Sequence, residues 1–487
     1  MAIAFDAIPN TIRTPFTAVE FNASLASQGP ALLTYKALII GQKIAAGSGT
    51  ADAVYKVSRE EDVIELAGRG SMLHRMAMGW FAANQSTELW IGILDDDGSG
   101  VLATGTLTVT GTSTADGTVS MYLGGEKVTA AVTSGDTVTE IATAMAAAIN
   151  LKVDLPVTAS SALGVVTLTA RNDGTHGNDF DVRINHNESD ATPAGIAIAV
   201  VAMASGASNP SLTNLLDALG DVWYNIIAHP YTDATNLTAI EDFLTVRNGP
   251  TKMIDGLAIT SAAGTFAELT SLGDGRNNRH SCIQAQPGKN PLTPPTEYAA
   301  EHAGILAYYG AIDPARPFQT LPHTHTVAPA DGDLFTNEER NLLLYDGIGT
   351  SKVVGGKIQV ERPITTYQLN AAGGADGAYL DATTMLTLMY LRFSFRSRMQ
   401  SKYPRHKLAG DTERVKAGQK VMTPRLGKVE AVGWFVEQQN LGVADECAGE
   451  GAAVVVELGD LDAEAAALLD AVLVDGGALG VASAGHD

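Results

Sequence analysis

Cysteine is almost absent from this sequence of 487 residues, which contains only Cys282 and Cys447. They do not form a CxxC pair, and this excludes a zinc ribbon or a thioredoxin-type motif. The sequence favours two buried, unpaired thiols, because cysteine often serves as a small buried hydrophobe. A disulfide within or between chains stays open as the alternative.

Long apolar runs and basic leader segments are also missing. The longest nearly apolar run, residues 195–204, is too short to cross a bilayer. Residues 1–10 have no basic region of the kind that opens a secretory signal, so we expect the chain to be made in a cytoplasm. With 45% apolar residues and a mean hydropathy of +0.06, the composition predicts a folded protein of several domains.

Positively charged residues are few, with 32 Lys and Arg against 54 Asp and Glu, which gives a net charge of −22. Such a surface repels phosphates, so we expect no nucleic acid partner. From the hydropathy we expect no membrane partner either. The charge is uneven: residues 362–428 carry 12 Lys/Arg and 4 Asp/Glu, while residues 429–487 carry 12 Asp/Glu and no Lys or Arg. Adjacent blocks of opposite sign favour contact between copies or with a charged partner, although two solvated faces would look the same.

Catalytic and ligand-binding motifs are absent as well. Gly41-Gln-Lys43 follows a strand but lacks the spacing of a phosphate-binding loop, and the acidic turn at residues 95–98 lacks the spacing of a calcium loop. His323 and His325 have no third metal ligand at a useful distance in the sequence. We therefore assign no catalytic residue, no metal site and no cofactor, and we do not expect an enzyme.

Strand and helix patterns alternate in two separate parts of the chain. Residues 37–40 and 89–94 read as strands, and Ser58 with Glu61 predicts a capping box at the start of the helix between them. The same alternation resumes near residue 209 and ends in a helix at residues 297–309. The pattern predicts an α/β domain that is split by an insertion.

The insertion, residues 101–208, has a different composition. It contains 17 Thr but only two aromatic residues, Tyr122 and Phe180. Apolar residues alternate with Thr at 106–110 and 165–169, as in half-buried strands, and one helix begins at Asp136 as its predicted N-cap. We predict a small, mainly antiparallel β domain.

The last part of the chain predicts a further unit. Asp381 caps a long helix that runs to about Tyr403, and residues 365–369 and 429–436 read as strands. The fold class is therefore α/β, with the following parts: an extended N-terminal arm (1–20), a split α/β domain (21–100 and 209–336), an inserted mainly-β domain (101–208), a C-terminal α+β domain (337–450) and an acidic tail or arm (451–487).

Several segments, in order along the chain, resemble the tail sheath proteins of Mu-like contractile-tailed bacteriophages. These segments are FDAIP at 5–9, NDGTHGND at 172–179, AIDPARP at 311–317, EERNLLLYDGI at 338–348, VERPITTY at 360–367 and YPRHKL at 403–408. The resemblance covers roughly residues 3–440, and the family's usual C-terminal ending is replaced here by the acidic tail.

The resemblance implies a structural protein of the virion rather than an enzyme. Copies of the chain would form six-fold rings, stack as a helix around the tail tube, and contract to drive the tube through the host envelope for genome ejection. The implied partners are other copies of the chain, the tail tube protein, and the baseplate and tail-terminator proteins. The chain would bind them in the host cytoplasm, during assembly. The alternative is a phage adhesin or carbohydrate-binding structural protein that uses residues 101–208.

The resemblance also suggests roles for particular residues. Terminal arms of the family add strands to neighbouring subunits, which points to Phe5, Ile8 and Pro9 at one end and to Val454, Val455 and Val456 at the other. Arg392 and Arg396 lie on one helix face with Arg398 and Lys402 beside them, so we expect this basic end to face an acidic tail tube. The alternative is an internal salt-bridge network with Asp411 and Glu413. Cys282 and Cys447 are candidates for an intersubunit disulfide.

Overall fold

The computed structural model describes residues 33–411 and 418–440. Its centre is an eight-stranded main sheet in the order β15-β14-β13-β12-β11-β1-β3-β2. The inner strands run parallel, and the two edge strands β2 and β15 run antiparallel to their neighbours. The strands of this sheet are β1 (Lys36–Gln42), β2 (Ala53–Val57), β3 (Glu88–Leu94), β11 (Ile226–Ala228), β12 (Leu257–Ala262), β13 (Ser281–Ala285), β14 (Ile348–Val354) and β15 (Lys357–Arg362).

Helices cover the main sheet, as parallel strands with two buried faces require. The apolar run at the centre of β1 is fully buried, and α2 packs against α7. Thr265 with Glu268, and Thr336 with Glu339, form capping boxes at the starts of their helices. The helices outside the insertion are α1 (Glu60–Ala67), α2 (Met72–Ala83), α4 (Thr213–Ala218), α5 (Ala234–Asn248), α6 (Phe266–Asp274), α7 (Pro295–Ile312), α8 (Asn337–Tyr345), α9 (Ala382–Lys402) and α10 (Pro424–Asn440).

The insertion forms two antiparallel sheets around a helix and has a hydrophobic core of its own. One sheet has the order β10-β4-β8-β7 and the other β6-β5-β9. All buried residues of its core cluster lie between Ala103 and Met203. Its elements are β4 (Thr104–Gly111), β5 (Gly117–Leu123), β6 (Glu126–Val132), α3 (Val138–Leu151), β7 (Val157–Ala162), β8 (Val165–Ala170), β9 (Val182–Ile184) and β10 (Ile196–Ala204).

Two of the predicted strands are wrong. Residues 429–436 lie within the helix α10, where the buried Ala431 and Trp434 are three positions apart and so share one helix face. Residues 365–369 form no ladder, and Leu369, at their end, forms an isolated bridge to Ala375. The predicted boundary at residue 337 coincides with the start of α8, and β14 and β15, which follow it, belong to the main sheet.

The helix starts differ from the predicted ones by small shifts. At α1, Asp62 rather than Glu61 reaches back and accepts hydrogen bonds from the backbone amides of Ser58 and Arg59. At α3, Thr137 replaces Asp136 as the N-cap and forms a capping box with Glu140. The predicted residue types were suitable caps in both cases, but neighbouring residues also are, and the packing of the helix selects between them.

Two short strands, β16 (Lys407–Leu408) and β17 (Val421–Met422), pair near the end of the described chain. The insertion and the long helix α9 meet the main sheet at opposite edges. The insertion follows the carboxyl end of β3, whereas α9 packs on residues that immediately precede β11 and β12. We call the side of the main sheet at the carboxyl ends of its parallel strands the carboxyl edge, and the side at their amino ends the amino edge.

Candidate functional site

The basic residues of α9 lie at the amino edge. Asp381 is the N-cap of this helix, as predicted, but its carboxylate accepts two hydrogen bonds of 2.8 Å from Arg362 instead of capping the helix amides. Met385, Leu386 and Met389 of the first three turns belong to the core of the main sheet. The helix is therefore fixed at its start, and its basic second half extends beyond the core.

Arg392 is paired with groups of its own chain, although its side chain is 37% exposed. Its guanidinium donates hydrogen bonds of 2.8 Å to the backbone oxygen of Asn248 and to Oδ1 of Asp255. Burial raises the pKa of Asp255, and the nearby Arg392 charge acts against that rise. The contact ties α9 to the segment before β12, 137 positions away in the sequence.

Arg398 and Lys402 converge on one carboxylate of α10. Nε of Arg398 lies 3.3 Å and Nζ of Lys402 lies 2.6 Å from oxygens of Glu430, to which the hydroxyl of Tyr403 also donates. Burial alone would raise the pKa of Glu430, but the hydrogen bonds from Lys402 and Tyr403 lower it. These contacts, with Trp434 Nε1 donating to Ser394 at 3.2 Å, join α10 to α9.

Arg396 differs from the other three basic residues. Its side chain is exposed and forms no ion pair among residues 33–411 and 418–440. The structure therefore places the four predicted tube-facing residues on one helix but pairs three of them internally. Their partners Asp255 and Glu430 were not anticipated: Asp255 is remote in sequence, and residues 429–436 were assigned to a strand. The tube-facing role itself stays a prediction.

At the carboxyl edge, Arg75 of α2 links the insertion to the main domain. Its guanidinium makes a two-point contact with Glu297 of α7, at 2.8 and 2.9 Å, and also contacts Glu126 of β6. Arg75 and Glu297 are almost completely buried. Burial would lower the pKa of Arg75, but the two carboxylates outweigh it and raise that pKa.

A second buried contact joins the insertion to the ends of β1 and β3. Nε2 of Gln42 donates to Oδ1 of Asp96 at 2.8 Å and to Oδ1 of Asp173 at 3.0 Å, while Asn172 donates to the same Asp96 oxygen at 2.8 Å. Burial, followed by the charge of Asp96, raises the pKa of Asp173 to about 6. Asp96, in the acidic turn at 95–98, is thus part of the contact between the insertion and the main sheet.

The two histidines considered as metal ligands bind carboxylates instead. Nδ1 of His323 lies 3.2 Å from Glu301, and Nε2 of His325 lies 2.7 Å from Glu297. Burial would raise the pKa of Glu301, but the hydrogen bond from His323 and further donors lower it to about 2. Within the described residues no group of three or more His, Cys, Asp or Glu side chains is placed to hold a metal ion.

Of the remaining predicted site residues, the structure describes Cys282 alone. Cys282 lies on β13, is 2% exposed, and burial raises the pKa of its thiol. Cys447 and the arm residues Phe5, Ile8, Pro9, Val454, Val455 and Val456 lie outside the described residues. No helix in the described part of the chain is long and apolar enough to cross a membrane.

Comparison with known proteins identifies the family. Residues 205–366 match the model of the phage tail sheath protein central domain. The chain is 38% identical over 447 residues to the Mu-like prophage FluMu tail sheath protein of Haemophilus influenzae, covering 92% of this chain and 91% of that protein. The chain belongs to the phage tail sheath protein family. It is thus a structural protein of a contractile phage tail, and within the family it resembles the Mu-like members.

Solved structures also include sheath proteins with a limited likeness. The sheath tail protein of Desulfitobacterium hafniense is 14% identical with a TM-score of 0.44, covering 88% of this chain and 89% of its own. The sheath tail protein of Listeria innocua is 12% identical with a TM-score of 0.43, covering 85% and 86%. The family assignment rests on the sequence relative, since these scores are too low to support an argument.

Proposed function

We propose that copies of this chain form six-fold rings that stack as a helix around the tail tube, and that this sheath contracts to drive the tube through the host envelope. The subunit meets the tube, the baseplate and the tail-terminator proteins during assembly in the host cytoplasm and then becomes part of the virion. The energy comes from the extended lattice, so the chain acts as a mechanical subunit and not as an enzyme.

The observation that carries this proposal is the polarity of the subunit. The insertion is attached at the carboxyl edge of the main sheet, through Arg75 and Asp173, and α9 is attached at the amino edge, through Arg392. A sheath subunit needs one side toward the tube and another toward the solvent. We assign the amino edge with α9 to the tube and the insertion to the outer surface.

The basic end of α9 suits a contact that must break during contraction. Arg396 offers an exposed charge, and Arg398 and Lys402 are held nearby by Glu430. Exposed charge pairs contribute roughly 0–1 kcal/mol each and weaken with salt. Many such contacts with an acidic tube would align the sheath without locking it in place.

The terminal segments supply the connections between subunits in this proposal. Phe5, Ile8 and Pro9 would anchor the N-terminal arm on a neighbour, and Val454, Val455 and Val456 are the best strand candidates of the tail. Main-chain hydrogen bonds of an added strand keep two subunits connected while they rotate relative to each other. Deleting residues 1–15 is expected to give subunits that fail to form rings.

The decisive test is negative-stain electron microscopy of the purified full-length chain. We expect wide hollow cylinders, and persistent monomers under all assembly conditions would contradict the proposal. Replacing residues 101–208 by a short linker should leave the cylinders intact but thinner in profile. Loss of all polymerisation in a folded deletion variant would contradict the outward placement of the insertion.

The tube contact is tested separately by Arg396→Glu. This residue is chosen over Arg392 because Arg392 also holds α9 to Asp255, so that its replacement would disturb the fold. Lys357→Glu makes the same charge change at the exposed first residue of β15, at the carboxyl edge. We expect Arg396→Glu, but not Lys357→Glu, to reduce assembly around tube; equal behaviour of the two variants would refute the assignment.

A further inference from the structure

Strand β10 is a long edge strand of the inserted domain with no partner on its outer side among the described residues. It pairs with β4 in regular register from Ile196 to Val201, before a bulge that ends at Ala204. Val200 and Val201 are 39% and 59% exposed. An exposed apolar edge strand of this length is a template for pairing with another chain.

Charge is absent from this edge and from the whole sheet behind it. None of the residues in β10, β4, β8 or β7 is Asp, Glu, Lys, Arg or His, although the chain has a net charge of −22. Two copies of so acidic a protein repel each other over most of their surfaces. The sheet that ends in β10 is a place where two copies can approach without bringing like charges together.

The opposite edge of the same sheet is protected. The side chain of Asn150 accepts a hydrogen bond from the backbone amide of Ala159 in β7 at 2.9 Å and donates one to its oxygen at 2.7 Å. The side-chain amide thus takes the place of an added strand. Within residues 33–411 and 418–440, the only side-chain hydrogen bond to the backbone of β10 comes from Thr110, which belongs to the adjoining strand β4.

We propose that β10 is a docking edge for β10 of a second copy of this chain. In an antiparallel pair centred on Ile198, Ile196 lies opposite Val200 and Ala197 lies opposite Ala199, so branched side chains meet on one face of the sheet and alanines meet on the other. Both strands contribute the same residues, and the contact is therefore two-fold symmetric. The blocked β7 edge leaves no head-to-tail continuation of the sheet.

The symmetry of this contact separates it from the sheath. A two-fold contact between identical surfaces closes after two copies, whereas a polar helical stack needs contacts between different surfaces. β10 pairing therefore rests on the proposed sheath function, because it occurs between subunits that have not yet joined the sheath. It keeps them as dimers whose exposed edge strand is covered until assembly begins.

The test is light scattering on the full-length chain during size-exclusion chromatography, before assembly is induced. Wild type is expected to approach twice the chain mass of 50.7 kDa as its concentration rises. Val201→Lys places two ammonium groups at the paired edge and should weaken the dimer roughly tenfold or more, leaving monomers. Leu163→Lys is the matched control, because Leu163 is 89% exposed on the turn between β7 and β8, away from β10.

The outcomes of this test are independent of the sheath proposal. A wild type that stays monomeric throughout, or equal dimerisation by Val201→Lys and Leu163→Lys, would overturn the inference about β10. Circular dichroism and the Tm confirm that each variant is folded. Cylinder formation is then followed by microscopy: its absence in every variant would contradict the sheath function, while cylinders formed by Val201→Lys agree with a β10 contact that is not part of the lattice.

Discussion

At the carboxyl edge of the main sheet the inserted domain is held by buried polar side chains, whereas at the amino edge α9 and α10 are joined by charges that stay partly exposed. The side chains of Arg75 and Glu297 are 3% and 1% exposed, and that of Lys402 is 48% exposed. Breaking a buried pair leaves an uncompensated charge away from water, while an exposed pair is simply replaced by solvent. The first contact suits a rigid attachment and the second a contact that can be rearranged.

The largest expected effect comes from the buried attachment. Arg75→Met removes the two-point contact with Glu297 and the contact with Glu126. Since Glu297 remains buried, we expect the free energy of unfolding to fall by about 3–5 kcal/mol. Denaturant unfolding of the unassembled subunit measures this change.

The control for this variant is Arg69→Met. Arg69 also contacts the insertion, through Asp154 at 2.7 Å, but both side chains are more than one third exposed. Its replacement is expected to cost under about 1 kcal/mol. Equal losses in the two variants would show that burial does not distinguish the two contacts.

Asp173 should make the attachment of the insertion dependent on pH. Its folded-state pKa of about 6 lies above the ordinary 3.8, so its contribution is fully present below about pH 4 and is lost as the pH rises through 6. Asp173→Asn cannot ionise and still accepts the hydrogen bond from Gln42. We expect it to be more stable than wild type by about 1–2 kcal/mol at pH 7.5, with no difference near pH 4.

Paired denaturation curves at the two pH values test this expectation. Asp217→Asn, an exposed carboxylate on α4, serves as the control and should change nothing at either pH. A constant offset of Asp173→Asn across the whole pH range would mean that ionisation of Asp173 is not responsible.

A smaller effect is expected at the amino edge. Glu430→Gln leaves Arg398 and Lys402 without their shared carboxylate, but these two cations, 25% and 48% exposed, can reach water. The loss in unfolding free energy should be under about 1 kcal/mol and should shrink as salt is added. A loss as large as that of Arg75→Met would remove the contrast between the two edges.

Replacing Cys282 is expected to leave thiol labelling of the folded subunit unchanged. Cys282 is buried in the main sheet, so a thiol-specific reagent should label at most one of the two cysteines in the folded subunit and both after unfolding. Labelling of wild type and Cys282→Ser should therefore be equal in the folded state. Non-reducing electrophoresis of intact tails examines Cys447, where a ladder that collapses on adding thiol would show intersubunit disulfides.

Local patterns in the sequence were enough for the class of fold and for most elements. The apolar run of β1 and the Thr alternation of the insertion each have the period of their structure, and Asp381 marked the start of α9 correctly. The resemblance at residues 338–348 and 360–367 pointed to the family that the sequence relative then established. Such signals depend on neighbouring residues, which a sequence displays directly.

Only the tertiary structure decided which charges are paired and which strands join one sheet. Arg392 meets Asp255 and Arg75 meets Glu297 across 137 and 222 positions, and β14 and β15 complete a sheet that begins at Lys36. In residues 429–436, burial of Trp434 against α9 accompanied a helix where the local pattern suggested a strand. Contacts between distant segments depend on how elements pack, and no local pattern of residue types specifies that packing.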